Sequence, residues 1–79
     1  QEIFSKEVFQ LVNDAIQSLP EKTREIFLLS RMECLTNREI SERLDISIKT
    51  VEFHVSKALK VLRIALKDYL LVFFYFFVK

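Results

Sequence analysis

The side chains best suited to binding chemistry lie in residues 49–67, where polar and basic residues recur with one phenylalanine among them. If this segment is a helix, in which each residue turns by about 100°, these side chains share the side opposite Val51 and Val55. The outward set is Lys49, Glu52, Phe53, Ser56, Lys57, Lys60, Arg63 and Lys67. Lysine and arginine bind phosphate groups, and lysine, glutamate and aromatic side chains can contact base edges in the DNA major groove. The spacing therefore predicts a helix with a nucleic-acid-binding face.

A capping box and a short turn place this helix second in a helix-turn-helix. In residues 36–39 the threonine oxygen can accept the glutamate N–H, and the glutamate carboxylate can accept the threonine N–H. This box predicts a helix that ends near Leu44, then a turn over residues 45–47 whose last residue, a serine, is a good N-cap. The second helix would run over residues 48–67, where it could lie in a major groove. The inward set joining the two helices would be Ile40, Leu44, Ile46, Val51 and Val55.

Two further helices are predicted before the motif. Apolar residues at helical spacing predict a first helix over residues 3–19. The single proline predicts the start of a second helix over residues 20–33, because proline suits the first turn of a helix. Its expected core face is Ile26, Phe27, Leu29 and Leu35, with Met32 at the edge. We therefore expect an all-α fold, with a four-helix, wingless helix-turn-helix domain over residues 1–68 and an apolar C-terminal extension over residues 69–79.

The sequence contains no glycine, which has a consequence for the ends of its helices. Helices commonly end with a left-handed residue, and that residue is usually glycine. Here the ends of the second and third helices fall at Cys34 and Asp45. We therefore predict a positive φ at Asp45 and, less strictly, at Cys34. We expect the Cys34 thiol to be half-buried and structural, since no histidine or basic pair points to its activation.

Length and charge limit the possibilities further. Seventy-nine residues make one small domain, and a hydrophobic content of 51% argues against disorder. The formal net charge of +1 conceals an asymmetry, because residues 1–48 carry six basic and nine acidic side chains whereas residues 49–79 carry six and two. The positive field therefore lies on the second helix of the motif, where phosphates would need it. Because the first residue is Gln1 rather than methionine, we expect a fragment or a processed product.

Catalysis and metal binding have little support in this sequence. With one histidine, one cysteine and no phosphate-cradling glycine loop, there is no nucleophile-base pair and no metal-ligand pair. A single cysteine also excludes an internal disulfide and is compatible with a reducing cytoplasm. We expect His54, at the border of the inward face, to be packed or water-bonded rather than a ligand or pH sensor. The expectation is a cytoplasmic protein that is not an enzyme and needs no cofactor or metal.

The C-terminal segment Tyr69–Val78 is apolar throughout and rich in aromatic residues. It is too short to span a bilayer, which takes about 20 residues. We expect a helical extension that packs on the first helix. The alternative is a surface for a protein partner or a second copy of the chain, and if exposed the segment would favour aggregation.

Several short motifs follow one another between residues 19 and 63. They are Leu19-Pro20, Arg24-Glu25-Ile26-Phe27, Asn37-Arg38-Glu39-Ile40 and Lys49-Thr50-Val51-Glu52, closed by Lys57-Ala58-Leu59 and Leu62-Arg63. Together they resemble region four, the C-terminal promoter-reading domain, of bacterial sigma factors of the extracytoplasmic-function group. The chain departs from that pattern at Cys34 and Asp45, where glycine would be usual, and in its apolar tail.

The resemblance implies that the second helix of the motif binds the −35 promoter element. It also implies docking on the β-flap of core RNA polymerase and masking by an anti-sigma protein. The residues placed against base edges would be Lys49, Glu52, Phe53, Ser56 and Lys57, and those against the DNA backbone Thr36, Arg38, Thr50 and Lys60. Chemically, Lys57 could donate to guanine, Glu52 could accept from a cytosine amine and Phe53 could pack on a thymine methyl. Glu52 could instead be an ordinary solvated residue of the helix, Phe53 could belong to a core or a crystal contact, and Lys60 could belong to a merely soluble face.

Two other functions remain open at this point. Response-regulator output domains of the LuxR type share the pattern at residues 49–52 and His54, and they bind paired half-sites as dimers. The Leu19-Pro20 motif and the missing glycines favour the sigma-factor interpretation instead. A protein-interaction module that uses only the aromatic tail is the third possibility, and it would lack the steep salt dependence of DNA binding.

Overall fold

Five α-helices account for most of residues 5–78, the part of the chain that the computed structural model describes. They are α1 Lys6–Ser18, α2 Glu21–Arg31, α3 Asn37–Leu44, α4 Ile48–Ala65 and α5 Leu70–Phe77. Residues 5–78 contain no β-strand. The predicted all-α class is therefore confirmed, with α1 to α4 as the four expected helices and α5 as the apolar extension. The start of the first predicted helix, at residues 3 and 4, lies outside the described residues.

Three of the helices begin at a serine or threonine whose side-chain oxygen accepts a backbone N–H of the first turn. Ser5 caps α1, Thr36 caps α3 and Ser47 caps α4. Such a cap stabilises a helix by about 1 kcal/mol because it satisfies a donor that has no partner within the helix. Pro20 lies one position earlier than predicted, as the N-cap of α2 with φ −54° and ψ 150°.

Two residues have the left-handed backbone that the missing glycines led us to predict: Asp45, the C-cap of α3, and Cys34, three residues after α2 ends at Arg31. Asp45 has φ 57° and ψ 48°, and Cys34 has φ 56°. At Asp45 this conformation lets two successive N–H groups, those of Asp45 and Ile46, reach the carbonyl of Ser41. The tight turn between α3 and α4 is therefore built without glycine.

Helix α4 ends at Ala65, two residues before the predicted Lys67. The Lys67 N–H donates to the Ile64 carbonyl at 3.2 Å, and the Tyr69 N–H donates to the Leu66 carbonyl at 2.8 Å. These shorter-range hydrogen bonds end the α-helical ladder and turn the chain toward the core. The prediction was wrong here because local periodicity carried no signal that the chain must turn back to bury its apolar tail.

The helices enclose two hydrophobic clusters, and α4 contributes to both of them. The smaller cluster, which we call the motif cluster, is Ile26, Ile40 and Val51, with Leu29, Leu35, Leu44, Ile46 and Val55 packed against it. The larger cluster, which we call the main cluster, is Val8, Val12, Ala15, Leu19, Phe27, Ala58, Leu62, Leu66, Val72, Phe73 and Phe77. The motif cluster contains the complete predicted inward set, which confirms how α3 and α4 meet.

Helix α5 packs into the main cluster and not on α1 alone. Its Val72, Phe73 and Phe77 are buried in the same cluster as two valines of α1. The Phe77 ring also stacks on Phe27 of α2 with centroids 6.1 Å apart, and Arg31 donates a hydrogen bond to the Phe77 carbonyl at 3.1 Å. The predicted helical form of the tail is thus confirmed. The division of the chain into two parts at residue 68 stays a prediction.

Candidate nucleic-acid interface

The orientation of α4 is fixed by residues that are fully buried between α2, α3 and α4. Ile26, Ile40 and Val51, one from each helix, are each 0% exposed. Ser41 is also buried, and its hydroxyl donates to the Arg38 carbonyl at 2.8 Å. A small residue that satisfies its own hydroxyl lets α3 and α4 approach closely, so the packing leaves α4 little freedom to rotate.

The opposite side of α4 is open to solvent. We call Lys49, Glu52, Phe53, Ser56 and Lys57 the recognition face, and all five are exposed. Phe53 is 61% exposed, although an aromatic ring of this size is usually found largely buried. Lys60, Arg63 and Lys67 continue the exposed basic set toward the C-terminus. The predicted outward orientation of these residues is confirmed, and the access that a duplex would need is present.

Within residues 5–78 the cations of α4 take part in no ion pair. Among residues 5–78 the ion pairs are Lys22 with Glu25 at 3.4 Å and Arg43 with Glu33 at 3.6 Å, and neither includes a residue of α4. The Lys57 ammonium instead lies 6.0 Å from the centroid of the Phe53 ring, one helical turn away. This contact stabilises the charge only weakly at an exposed site, so the ammonium remains available to an anionic partner.

Two of the predicted backbone-contacting residues are threonines at the starts of the motif helices. Thr36 and Glu39 form the predicted capping box, in which the Thr36 N–H donates to Glu39 Oε1 at 2.8 Å and the Glu39 N–H donates to Thr36 Oγ1 at 3.1 Å. Thr50 lies in the first turn of α4, where its N–H donates to Ser47 Oγ at 3.0 Å. Arg38 is exposed in the first turn of α3. The motif thus presents two helix N-termini, whose partial positive charge attracts phosphates.

His54 is hydrogen-bonded to a hydroxyl group of α2. Its Nδ1 lies 2.8 Å from Oγ1 of Thr23, which is 0% exposed. The His54 ring also meets the Phe53 ring edge to face at 5.3 Å. The prediction of a packed histidine is confirmed, and its hydrogen-bond partner is a threonine hydroxyl of the protein. Our sequence analysis missed Thr23, although a threonine on the same helical face as Ile26 and Phe27 signals a buried hydroxyl that needs a partner.

The thiol of Cys34 is exposed rather than half-buried as we had predicted. Its residue occupies the left-handed position after α2, outside the helix whose inward face is buried. The prediction was wrong because it rested on the lack of an activating histidine or basic pair, which does not indicate whether a thiol is buried. Among residues 5–78 no cluster of three or more histidine, cysteine, aspartate or glutamate side chains could hold a metal ion. No helix within the same range is long and apolar enough to cross a membrane.

A second feature of the surface is an apolar groove of about 510 Å³ formed by α1, α2 and α5. Its walls include Phe9, Ile16, Leu28, Met32 and Phe76. Arg31 also lines it, and burial lowers the pKa of that guanidinium below its ordinary value. A groove of this size and polarity can accept an apolar side chain or part of a helix from a partner.

Comparison with known proteins assigns the family. The model of the family described as "Sigma-70, region 4" matches residues 9–62. The ferric citrate uptake sigma factor FecI of Escherichia coli (strain K12) is 43% identical over 54 residues, which are 68% of this chain and 31% of FecI. The chain thus spans about a third of the length of this relative. No solved structure matches it.

Neither match is to a response regulator of the LuxR type, and nothing in the two matches favours that alternative. The family match covers α2, α3 and most of α1 and α4, and therefore includes the whole recognition face. The chain belongs to the sigma-70 region 4 family, as its resemblance to the region-four domains of extracytoplasmic-function sigma factors predicted.

Proposed function

We propose that this domain binds the −35 promoter element through α4, as part of a sigma factor that directs core RNA polymerase to initiate transcription in the cytoplasm. The observation that carries this proposal is the exposed face of α4, whose lysines have no ion-pair partner among residues 5–78. A helix with free cations and a rigidly packed opposite side fits the second helix of a DNA-binding helix-turn-helix. Family membership supports the same function.

Within the recognition face each residue type suits a particular contact. Lys57 would donate to the acceptors of guanine, and Glu52 would accept from a cytosine amine. Phe53 would pack on a thymine methyl, which gives a reason for a large exposed ring at this position. Lys49 and Ser56 flank these residues and would complete the base contacts.

The backbone contacts would come from residues around the recognition face. Thr36 and Arg38 lie at the start of α3, and Thr50 lies at the start of α4. Their position at helix N-termini would bring both the side chains and the positive helix ends near phosphates. Lys60, one turn beyond Lys57 on the exposed side, would contact a further phosphate. These contacts would hold the register of α4 in the groove without reading sequence.

The protein partners in this proposal use other surfaces. The apolar groove of α1, α2 and α5 would receive the β-flap of core RNA polymerase or a masking anti-sigma protein. The outer side of α5, where Leu71 is 87% and Tyr75 is 73% exposed, would support self-association through Tyr69–Val78 when no partner is bound. Exposed apolar side chains of this extent favour association.

The central test is a selection of bound duplexes from a random pool, using RNA polymerase holoenzyme that contains the full sigma factor. We expect enrichment of one short element at the −35 position, and we expect alanine substitution of Lys57 to relax the preference at one position within it. Core polymerase without the sigma factor is the control. An unenriched pool, or enrichment that is unchanged when the recognition face is substituted, would contradict the proposed function.

The proposed self-association has a separate test. Sedimentation of the 79-residue chain should show a concentration-dependent dimer, whereas a chain truncated after Asp68 should sediment as a monomer under the same conditions. Leu71→Lys in the 79-residue chain is the matched variant, because it charges the exposed side of α5 and leaves the buried residues in place. Identical monomers in all three samples would remove this part of the proposal.

A further inference from the structure

We propose that Thr23 and His54 are a positioning pair that sets the promoter specificity of the recognition face. The inference rests on the proposed function, since it concerns how α4 presents its base-reading side chains. Neither residue touches DNA in this proposal. They act through Phe53 and Lys57, which do.

A hydrogen bond between these two residues joins the interior of α2 to α4. Thr23 is completely buried, so its hydroxyl needs a partner within the protein. Among residues 5–78 the hydrogen-bond partner of that hydroxyl is Nδ1 of His54, at 2.8 Å and 31 residues away in the sequence. A buried O–H that lacked this acceptor would lose its hydrogen bond to water without compensation. In the proposed pair the hydroxyl donates to Nδ1, which requires the tautomer whose ring proton is on Nε2.

This hydrogen bond holds the plane of the imidazole ring, and the ring in turn contacts the recognition face. The Phe53 and His54 rings lie 5.3 Å apart with an interplanar angle of 75°. An edge-to-face pair is sensitive to the orientation of both rings. Because Phe53 is 61% exposed, we infer that the His54 ring is its main support and that the direction of the Phe53 ring depends on it.

A third contact extends the chain to Lys57. Its ammonium lies 6.0 Å from the centroid of the Phe53 ring, so the position of the ring biases where the lysine is found. A sequence of contacts thus runs from the buried Thr23 through His54 and Phe53 to Lys57. Readout of a base edge depends on geometry at the level of single hydrogen bonds. Loosening the first contact should therefore reduce discrimination between promoter sequences more than it reduces total binding.

Thr23→Val is the main test, because valine keeps the shape of threonine and removes only the hydroxyl. Thr23→Ser keeps the hydroxyl and should restore function. Ser30→Ala is the matched control, since Ser30 is another buried hydroxyl of α2 and bonds to Arg31 rather than to α4. His54→Asn is a second, independent variant, in which the amide oxygen can replace Nδ1 as acceptor while the ring that supports Phe53 is lost.

The measurement is competition binding of holoenzyme to the selected −35 duplex and to duplexes with one altered base pair. Since base readout depends on the geometry of each contact, we expect Thr23→Val and His54→Asn each to lower the discrimination ratio roughly tenfold at the altered positions read by Phe53 and Lys57. Thr23→Ser and Ser30→Ala should keep the wild-type ratio. In ¹⁵N NMR spectra, the chemical shift of His54 Nδ1 should move to that of a nitrogen without a hydrogen bond in Thr23→Val. In Thr23→Ser this chemical shift should stay at its wild-type value.

The outcomes separate this inference from the function on which it rests. Wild-type discrimination retained in both Thr23→Val and His54→Asn would overturn the positioning pair and leave promoter binding intact. A wild-type holoenzyme that shows no discrimination would overturn the proposed function and the pair with it. If Thr23→Val does not fold, His54→Asn decides, because that side chain is only half-buried and its replacement leaves the core filled.

Discussion

Replacing Lys57 by alanine should damage promoter recognition while leaving the fold intact. Lys57 is exposed, takes part in neither of the ion pairs among residues 5–78, and contacts the Phe53 ring only at 6.0 Å. Alanine is a better helix former than lysine. Surface changes of this kind alter the free energy of unfolding by less than about 0.5 kcal/mol. A larger effect on DNA binding would therefore report the interface itself.

The size of that effect depends on what Lys57 contacts. If it pairs with guanine, the loss is about 1–3 kcal/mol of specific binding, which raises Kd about 5- to 150-fold because 1.4 kcal/mol is a factor of ten. The loss should appear on the selected −35 duplex and be small on a scrambled duplex. If it contacts a phosphate, both duplexes should weaken alike, and the slope of log K against log salt should fall by about 1.

The assay is a titration of labelled duplexes with holoenzyme at several salt concentrations, with thermal unfolding of each variant measured in parallel. Lys6→Ala is the matched control, since it removes the same charge from an exposed position on α1, away from the motif. We expect the control to bind both duplexes like the wild type. Wild-type affinity of Lys57→Ala at every salt concentration would refute the assignment of α4 as the DNA-reading helix.

Three further predictions test the fold that presents this face. Ile40→Ala should lower the free energy of unfolding by about 2–5 kcal/mol, because Ile40 is 0% exposed in the motif cluster. The control Ile64→Ala, on the exposed side of α4, should change the free energy of unfolding by less than about 0.5 kcal/mol. Similar melting temperatures for the two variants would contradict the packing. Asp45→Gly should raise the free energy of unfolding by about 1 kcal/mol, because glycine adopts the left-handed turn without a steric penalty. The denaturant concentration at the unfolding midpoint should rise accordingly, and a lowered midpoint would contradict this reasoning. A hydrogen bond from Tyr69 to the Glu7 carboxylate, and to a lesser extent desolvation, raises the pKa of the Tyr69 phenol above its ordinary value of 10.0. The resulting stability is present below pH 10.0 and is lost as the pH rises through the raised pKa. Tyr69→Phe should therefore make the melting temperature less dependent on pH in that alkaline range, and a pH dependence identical to that of the wild type would exclude the contact.

The helix-turn-helix itself could be predicted because its signals are local. The capping box at Thr36 and Glu39 involves residues three apart, and the burial of Val51 opposite Phe53 follows from the period of one helix. The left-handed backbone of Asp45 followed from the need to end α3 in a chain that has no glycine. In each case the controlling interaction lies within about one helical turn, so a single sequence contains it.

The errors concern residues whose environment is made by distant parts of the chain. Cys34 was predicted to be half-buried, but its exposure depends on where the turn after α2 points. The end of α4 at Ala65 depends on α5 folding back to bury Phe73 and Phe77. Helical periodicity continues past Ala65, and for that reason it could not locate the end of α4.

The sequence by itself determined which side of α4 is apolar, which residues begin the helices and that the basic residues lie together. Those properties follow from side-chain type and a fixed helical repeat. Only the tertiary structure decided that the apolar tail would complete the main cluster through Phe77, and that Thr23 would meet His54 across 31 residues. Such contacts depend on the simultaneous packing of several helices, and their geometry is set by the shared core rather than by any one segment.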